Sequence, residues 1–149
     1  MPEGLSTGVI EATTIPWEVT PSLRVAELVN NHTSFSGPNG WYTQTFVFAM
    51  NKDSYENLPD DLKAVIDENS GPEQAGRMGA VMDGGDIVGL KIAQDHGNDI
   101  VVLDDAETAR WKEVAQRIID GWVAEMDAKG KDGAALLEEA RALIDKYSM

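Results

Sequence analysis

Trp41–Gly71, WYTQTFVFAMNKDSYENLPDDLKAVIDENSG, decides how the rest of this chain is read. Its first ten residues are aromatic and β-branched. Phe46, Val47, Phe48, Ala49 and Met50 run together rather than alternating. That pattern predicts a strand buried on both faces, in a parallel or mixed sheet with helices on each side. Asn51 and a short helical turn follow. Leu58-Pro59-Asp60-Asp61 then opens a longer helix, with proline near the start and acidic residues where the helix dipole favours them. Leu62, Val65 and Ile66 are its apolar stripe, and Gly71-Pro72 interrupts it.

Before this stretch, Leu5–Thr14 is expected to form a strand or short buried segment, on the strength of Val9, Ile10 and Thr13-Thr14-Ile15. Pro16 removes a ladder donor. Thr20-Pro21 is expected to start a helix, with Leu23, Ala26 and Val29 at helical spacing and Asn30-Asn31-His32 breaking it. Ser36-Gly37-Pro38-Asn39-Gly40 is the clearest loop.

After it, a second helical segment spans about Pro72–Gln94. Its Gly84-Gly85 is either a break or a site of close packing. His96-Gly97-Asn98 should cap it, Asp99–Leu103 should be a strand, and Asp104 or Asp105 should open an amphipathic helix over Ala106–Met126. Ala134–Tyr147 is the last expected helix. The order is α/β in class. So few strands for this many apolar helices implies that sheet-forming partners are absent from this chain.

A chain of 149 residues with 42% hydrophobic content and mean hydropathy of −0.28 fits one globular unit. Its net charge of −14 argues against phosphate backbones and anionic membranes as partners, so no nucleic acid is expected. Without cysteine there is no disulfide, thiolate catalysis or cysteine-based zinc site. No apolar run approaches the roughly 20 residues a membrane span needs, and the start, MPEGLSTG, lacks the features of a secretory signal.

His32 and His96 fit no local metal motif and are expected in loop or cap roles. No G-x-S-x-G elbow, P-loop or dinucleotide fingerprint is present. The carboxylate pairs Asp60-Asp61 and Asp104-Asp105 are explained by helix starts, and Glu138-Glu139 by solvation. Neither a catalytic residue, a metal nor a cofactor is expected, and the chain reads as a non-enzyme. Thr13-Thr14-Ile15-Pro16-Trp17-Glu18 is the best ligand-site candidate: hydroxyls, an aromatic face and a carboxylate follow an expected strand.

Two stretches in order, TGVIEATTIPW (Thr7–Trp17) and MNKDSYENLPDDL (Met50–Leu62), resemble the solute-binding proteins of TRAP transporters, the DctP-like family. The resemblance runs over nearly the whole chain. It implies part of a two-lobed periplasmic-binding-protein-like fold, a mixed sheet flanked by helices with a helical C-terminus and the N-terminal lobe strands missing. It also implies a division into a cleft segment and helix over 1–35, a hinge-type strand and turn over 36–58, helices over 59–97, and a strand with C-terminal helices over 98–149.

The resemblance further implies a periplasmic receptor that takes a small organic acid, carboxylic or 2-oxo, to a membrane permease. Gly8-Val9-Ile10-Glu11-Ala12 stands where the family has G-V-V-D-G, and Ile15-Pro16 where it has Asn-Pro. The missing asparagine disfavours a heavily hydroxylated ligand. Thr13, Thr14, Trp17 and Glu18 suit an acid with an apolar or aromatic body. Gln44 and Phe46, on the segment that resembles the hinge strand, are the remaining expected contacts. The family's carboxylate-clamping arginine lies before this segment, and none of Arg24, Arg77, Arg110, Arg117 or Arg141 falls at its place. The chain alone should therefore bind weakly or not at all. The alternative is an acidic α/β domain that self-associates through exposed helices or swapped elements. A small hydrolase or isomerase using the carboxylates and His96 is the third reading.

Overall fold

Pro72 to His96 form one unbroken helix, α4, the longest element among the described residues and part of the unit made by residues 1–32 and 44–100. The computed structural model describes residues 1–37 and 40–147. Pro38 and Asn39 of the expected loop lie outside them. In chain order the elements are α1 (Pro2–Ser6), 3₁₀ turns at Trp17–Val19 and Val25–Glu27, β1 (Asn31–Phe35), α2 (Lys52–Glu56), α3 (Asp60–Glu68), α4 (Pro72–His96), β2 (Asp99–Leu103), α5 (Asp105–Ala128) and α6 (Gly133–Tyr147). The Asp99 amide donates to the Asn30 carbonyl at 2.9 Å, and the Ser36 amide to the Leu103 carbonyl at 3.0 Å. Early residues thus pair with early and late with late, so β1 and β2 are parallel. The class is α/β, helix-rich, with a small parallel sheet.

The helix ends follow the local sequence. Asn51 accepts from the Ser54 amide at 3.0 Å and starts α2, and Asp104 accepts from the Glu107 amide at 2.8 Å and starts α5. Gly97, at φ 86°, ends α4 in the left-handed conformation that costs glycine least. The Tyr55 hydroxyl of α2 donates to both carboxylate oxygens of Asp67 on α3, at 2.7 and 2.9 Å.

Four sequence expectations change. Leu5–Thr14 is not a strand: Pro2–Ser6 is helical, Gly8 turns the chain at φ 70°, and the amides of Val9 and Ile10 return to the Gly4 carbonyl. Thr20–Val29 is not a continuous helix. The Thr20 hydroxyl donates back to the Trp17 carbonyl at 2.8 Å instead of capping forward, and Arg24 at φ 54° interrupts the run. Asn31-His32, expected to end that helix, open β1. Trp41–Met50 carries no strand among the described residues, and Val47 and Phe48 are almost wholly exposed. A β-prone run becomes a strand only against a neighbouring ladder, and the described residues offer it none.

The other expectation at α4 resolves toward close packing. Gly84-Gly85 does not break the helix. A methyl group at Gly89 would stand 2.0 Å from the Trp17 carbonyl oxygen, and one at Gly85 would stand 2.7 Å from the Glu18 β-carbon. Bare backbone on α4 is the seat of the Trp17–Val19 turn. Val25, Ala26 and Ala93 are the buried apolar side chains among the described residues.

Residues 33–43 and 101–149 make a second unit. Phe35 stands edge-on to Trp111 with ring centroids 5.4 Å apart, and Trp41 edge-on to Trp111 at 5.0 Å, arrangements that aromatic quadrupoles favour. Gly133 lets α6 start against α5, where a methyl group would stand 2.6 Å from the Val123 carbonyl oxygen. The Gly133 amide donates to Asp127 at 2.9 Å.

Candidate functional site

Trp17 and Glu18 sit together on the turn that α4 holds. The Glu18 amide donates to Asp86 Oδ1 of α4 at 2.8 Å, and Thr20 is buried beneath the turn. Both Trp17 and Glu18 are half-buried. Glu18 Oε2 is a buried oxygen with no hydrogen-bond partner among the described residues. An acceptor left in this way costs free energy until a donor reaches it. With Asp86 alongside, the ground around Trp17 is acidic.

The Trp17 indole is stacked at a tilt on His32, with centroids 4.9 Å apart and planes at 34°. Its Nε1–H makes no hydrogen bond among the described residues, and that nitrogen is not among the buried unpartnered atoms. His32 Nε2 lies 3.3 Å from Asn98 Oδ1, while Asn98 Nδ2 donates to the Val29 carbonyl at 2.8 Å. This chain of bonds fixes the imidazole. Asn98 spends its NH₂ on Val29 and turns only an acceptor to His32, so Nε2 can only be the donor in this contact. Nδ1 makes no hydrogen bond among the described residues.

Of the residues expected from sequence, Thr13 is half-buried and Thr14 exposed on the segment entering the turn. Gln44 and Phe46 are exposed, and no hydrogen bond among the described residues ties Gln44 to Trp17 or Glu18. Trp17 and Glu18 are consecutive residues of one turn, and no hydrogen bond among the described residues joins the other four to them. The reading missed His32, placed in a loop, and Asn98, placed in a cap. His32 has a strand role against Trp17, and no local spacing signals a stack formed across so much sequence.

Three of the five arginines are paired with glutamates among the described residues. The Arg24 guanidinium donates to Glu27 through Nε at 2.8 Å and Nη2 at 2.6 Å, which holds the Glu27 carboxyl below its usual range and raises the guanidinium. Arg77 is paired with Glu73 and Arg110 with Glu107, each on its own helix. A shallow hollow edged by Glu3, Leu23, Arg24 and Leu28 lies beside that Arg24–Glu27 pair, apart from Trp17. No cluster of three or more metal-ligating side chains occurs among the described residues, nor any helix long and apolar enough to cross a membrane.

Comparison with known proteins gives this geometry a context. A family model described as DctP, bacterial extracellular solute-binding protein, family 7, matches residues 3–126. A TRAP solute-binding protein from Rhodoferax ferrireducens, solved with copurified benzoate, is 43% identical over 99% of this chain, with a TM-score of 0.93. A marine-metagenome TRAP solute-binding protein specific for aromatic acid ligands, solved with 3-hydroxybenzoate, is 39% identical over 99% of this chain, with a TM-score of 0.92. A periplasmic one from Desulfovibrio salexigens is 31% identical over 98%, at 0.73. The chain spans 46% of the length of the first two and 44% of the third.

Proposed function

The chain belongs to the bacterial extracellular solute-binding proteins of family 7, and from that premise we propose that it forms part of a periplasmic receptor for a small aromatic carboxylic acid, delivered to a TRAP-type membrane permease. The observation that carries the reading is Trp17. The turn that carries Trp17 is seated on bare α4 backbone and leaves its indole half-buried, and the similar solved proteins hold benzoate and 3-hydroxybenzoate. Thr13, Thr14 and Glu18 are proposed to border the ligand's ring, with Gln44 and Phe46 as further proposed contacts. The 1–35, 36–58, 59–97 and 98–149 divisions are proposed on the same ground. A receptor of this kind needs no catalysis.

The acidic ground beside Trp17 orients such a ligand. Glu18 and Asp86 repel its carboxylate, so the aromatic body lies here and the carboxylate points toward a cation elsewhere. With no arginine at the place of the family's carboxylate clamp, the chain alone should bind weakly, with a dissociation constant on the order of 1 mM. The test is thermal unfolding of the chain with benzoate, 3-hydroxybenzoate and aliphatic C3 to C10 acids at matched ionic strength. Aromatic acids should raise the midpoint, aliphatic ones should not, and Trp17→Ala should abolish the rise. Equal shifts from every acid would reduce the effect to charge and sink the reading.

The exposed run Phe46–Phe48 favours a second reading, self-association of an acidic α/β domain. It requires a mass that grows with concentration in sedimentation and falls back on Phe48→Asp.

A further inference from the structure

We infer that Asp86 is the positioning residue of the Trp17 site: its carboxylate, presented by α4, fixes the turn that carries the indole and so sets the affinity for the aromatic acid, acting through the Glu18 amide. The inference rests on the proposed receptor function and deepens it. Two amides of the turn find carbonyls in its own backbone, Val19 to Pro16 at 3.3 Å and Thr20 to Trp17 at 3.0 Å. The Glu18 amide makes no bond to a backbone carbonyl among the described residues, as expected of a donor at the start of a turn. Its acceptor is Asp86 Oδ1, 68 residues away in sequence, at 2.8 Å in a part-buried position. A carboxylate acceptor makes a stronger bond than a neutral one. Gly85 precedes Asp86 and Gly89 lies one turn further along α4, and a methyl group at either would collide with Glu18 or with the Trp17 carbonyl oxygen. The glycines thus admit the turn, and the carboxylate pins it. The Thr20 hydroxyl bond to the Trp17 carbonyl is internal to the turn and moves with it. Without the Asp86 bond, the stack on His32 is the main hold left on the indole. A ring held in place before the acid arrives costs less to order on binding.

The experiment is a benzoate titration followed by ¹⁵N–¹H spectra in the unaltered chain, Asp86→Asn and Asp86→Ala. Asparagine keeps an acceptor oxygen and removes the charge, and alanine removes both. Asp86→Ala should weaken benzoate binding about tenfold. Before any benzoate is added, it should also move the Trp17 indole N–H and His32 ring signals toward those of unstacked rings. Asp86→Asn should leave those signals in place and bind benzoate at least as tightly as the unaltered chain, because it also relieves repulsion of the acid's carboxylate. A merely structural role would lower the urea midpoint of Asp86→Ala and leave the two ring signals and the benzoate affinity unmoved, which would overturn the inference. An Asp86→Asn chain that binds as weakly as Asp86→Ala would overturn it too, since charge and not the hydrogen bond would then be the cause. Either result leaves the receptor reading standing, whereas benzoate failing to bind the unaltered chain would overturn both. Should Asp86→Ala fail to fold, Asp86→Glu takes its place: an acceptor carried one methylene further should weaken benzoate about threefold and shift the same two signals, and unmoved signals and affinity would overturn the inference.

Discussion

Trp17 can lie where it does because two residues of α4 have no side chain. Gly89 meets its carbonyl oxygen, and Gly85 meets the Glu18 β-carbon. Gly84, their neighbour, faces open space. Gly89 and Gly84 should therefore part company under the same substitution. Gly89→Ala should lower stability by about 1–3 kcal/mol through overpacking. Gly84→Ala should raise it by about 0.5–1 kcal/mol, since alanine loses less backbone freedom in a helix. Urea unfolding of both variants checks this, and a stabilising Gly89→Ala would mean the turn does not rest on α4. The sequence showed these glycines as a helix weakness or a packing device without deciding which. The deciding contact comes from the Trp17–Val19 turn, distant in sequence. The same distance hid His32, whereas Trp17 and Glu18 stood out because their own tripeptide neighbourhood follows an expected cleft segment.

Elements whose limits depend on adjacent residues were legible. Gly71-Pro72, Gly97 and Asp104 punctuate α4 and α5 where a local reading puts them. Asp104→Ala should cost about 1 kcal/mol, because the Glu107 amide loses its acceptor. A thermal melt compared with an Asp105→Ala control measures it. Elements that need a partner were not legible. Trp41–Met50 has strand composition and no ladder, and Val25–Glu27 is a 3₁₀ turn because Arg24 turns left-handed before it. The α2–α3 staple carries a pH signature. The hydrogen bond from Tyr55 to Asp67, reinforced by burial and carboxylate charge, raises the phenol above its usual range. Its stabilisation is fully present below the unfolded tyrosine value of about 10 and is lost as pH rises through the higher folded value. Tyr55→Phe should therefore be less stable than the unaltered chain at pH 8, with the gap closing in strong alkali. A gap independent of pH would show that the bond to Asp67 does not stabilise the fold.

At the scale of the whole molecule, a charge of −14 is held around few buried apolar side chains. Self-repulsion is then a large fraction of a small balance. Raising salt from about 0.01 M to 0.15 M shortens the screening length and should raise the unfolding midpoint. A falling midpoint would show that surface ion pairs such as Arg77–Glu73 outweigh the repulsion. Family membership was legible at this scale because two stretches in order carry it, and the narrowing of the proposed ligand to an aromatic acid draws on the acids held by the similar solved proteins. The most direct test uses the four tryptophans as reporters. In a benzoate titration followed through the indole N–H signals, Trp17 should move saturably while Trp41, Trp111 and Trp122 stay in place. An immobile Trp17 at tens of millimolar benzoate (far above the millimolar affinity expected), or a larger shift at another indole, would contradict the account.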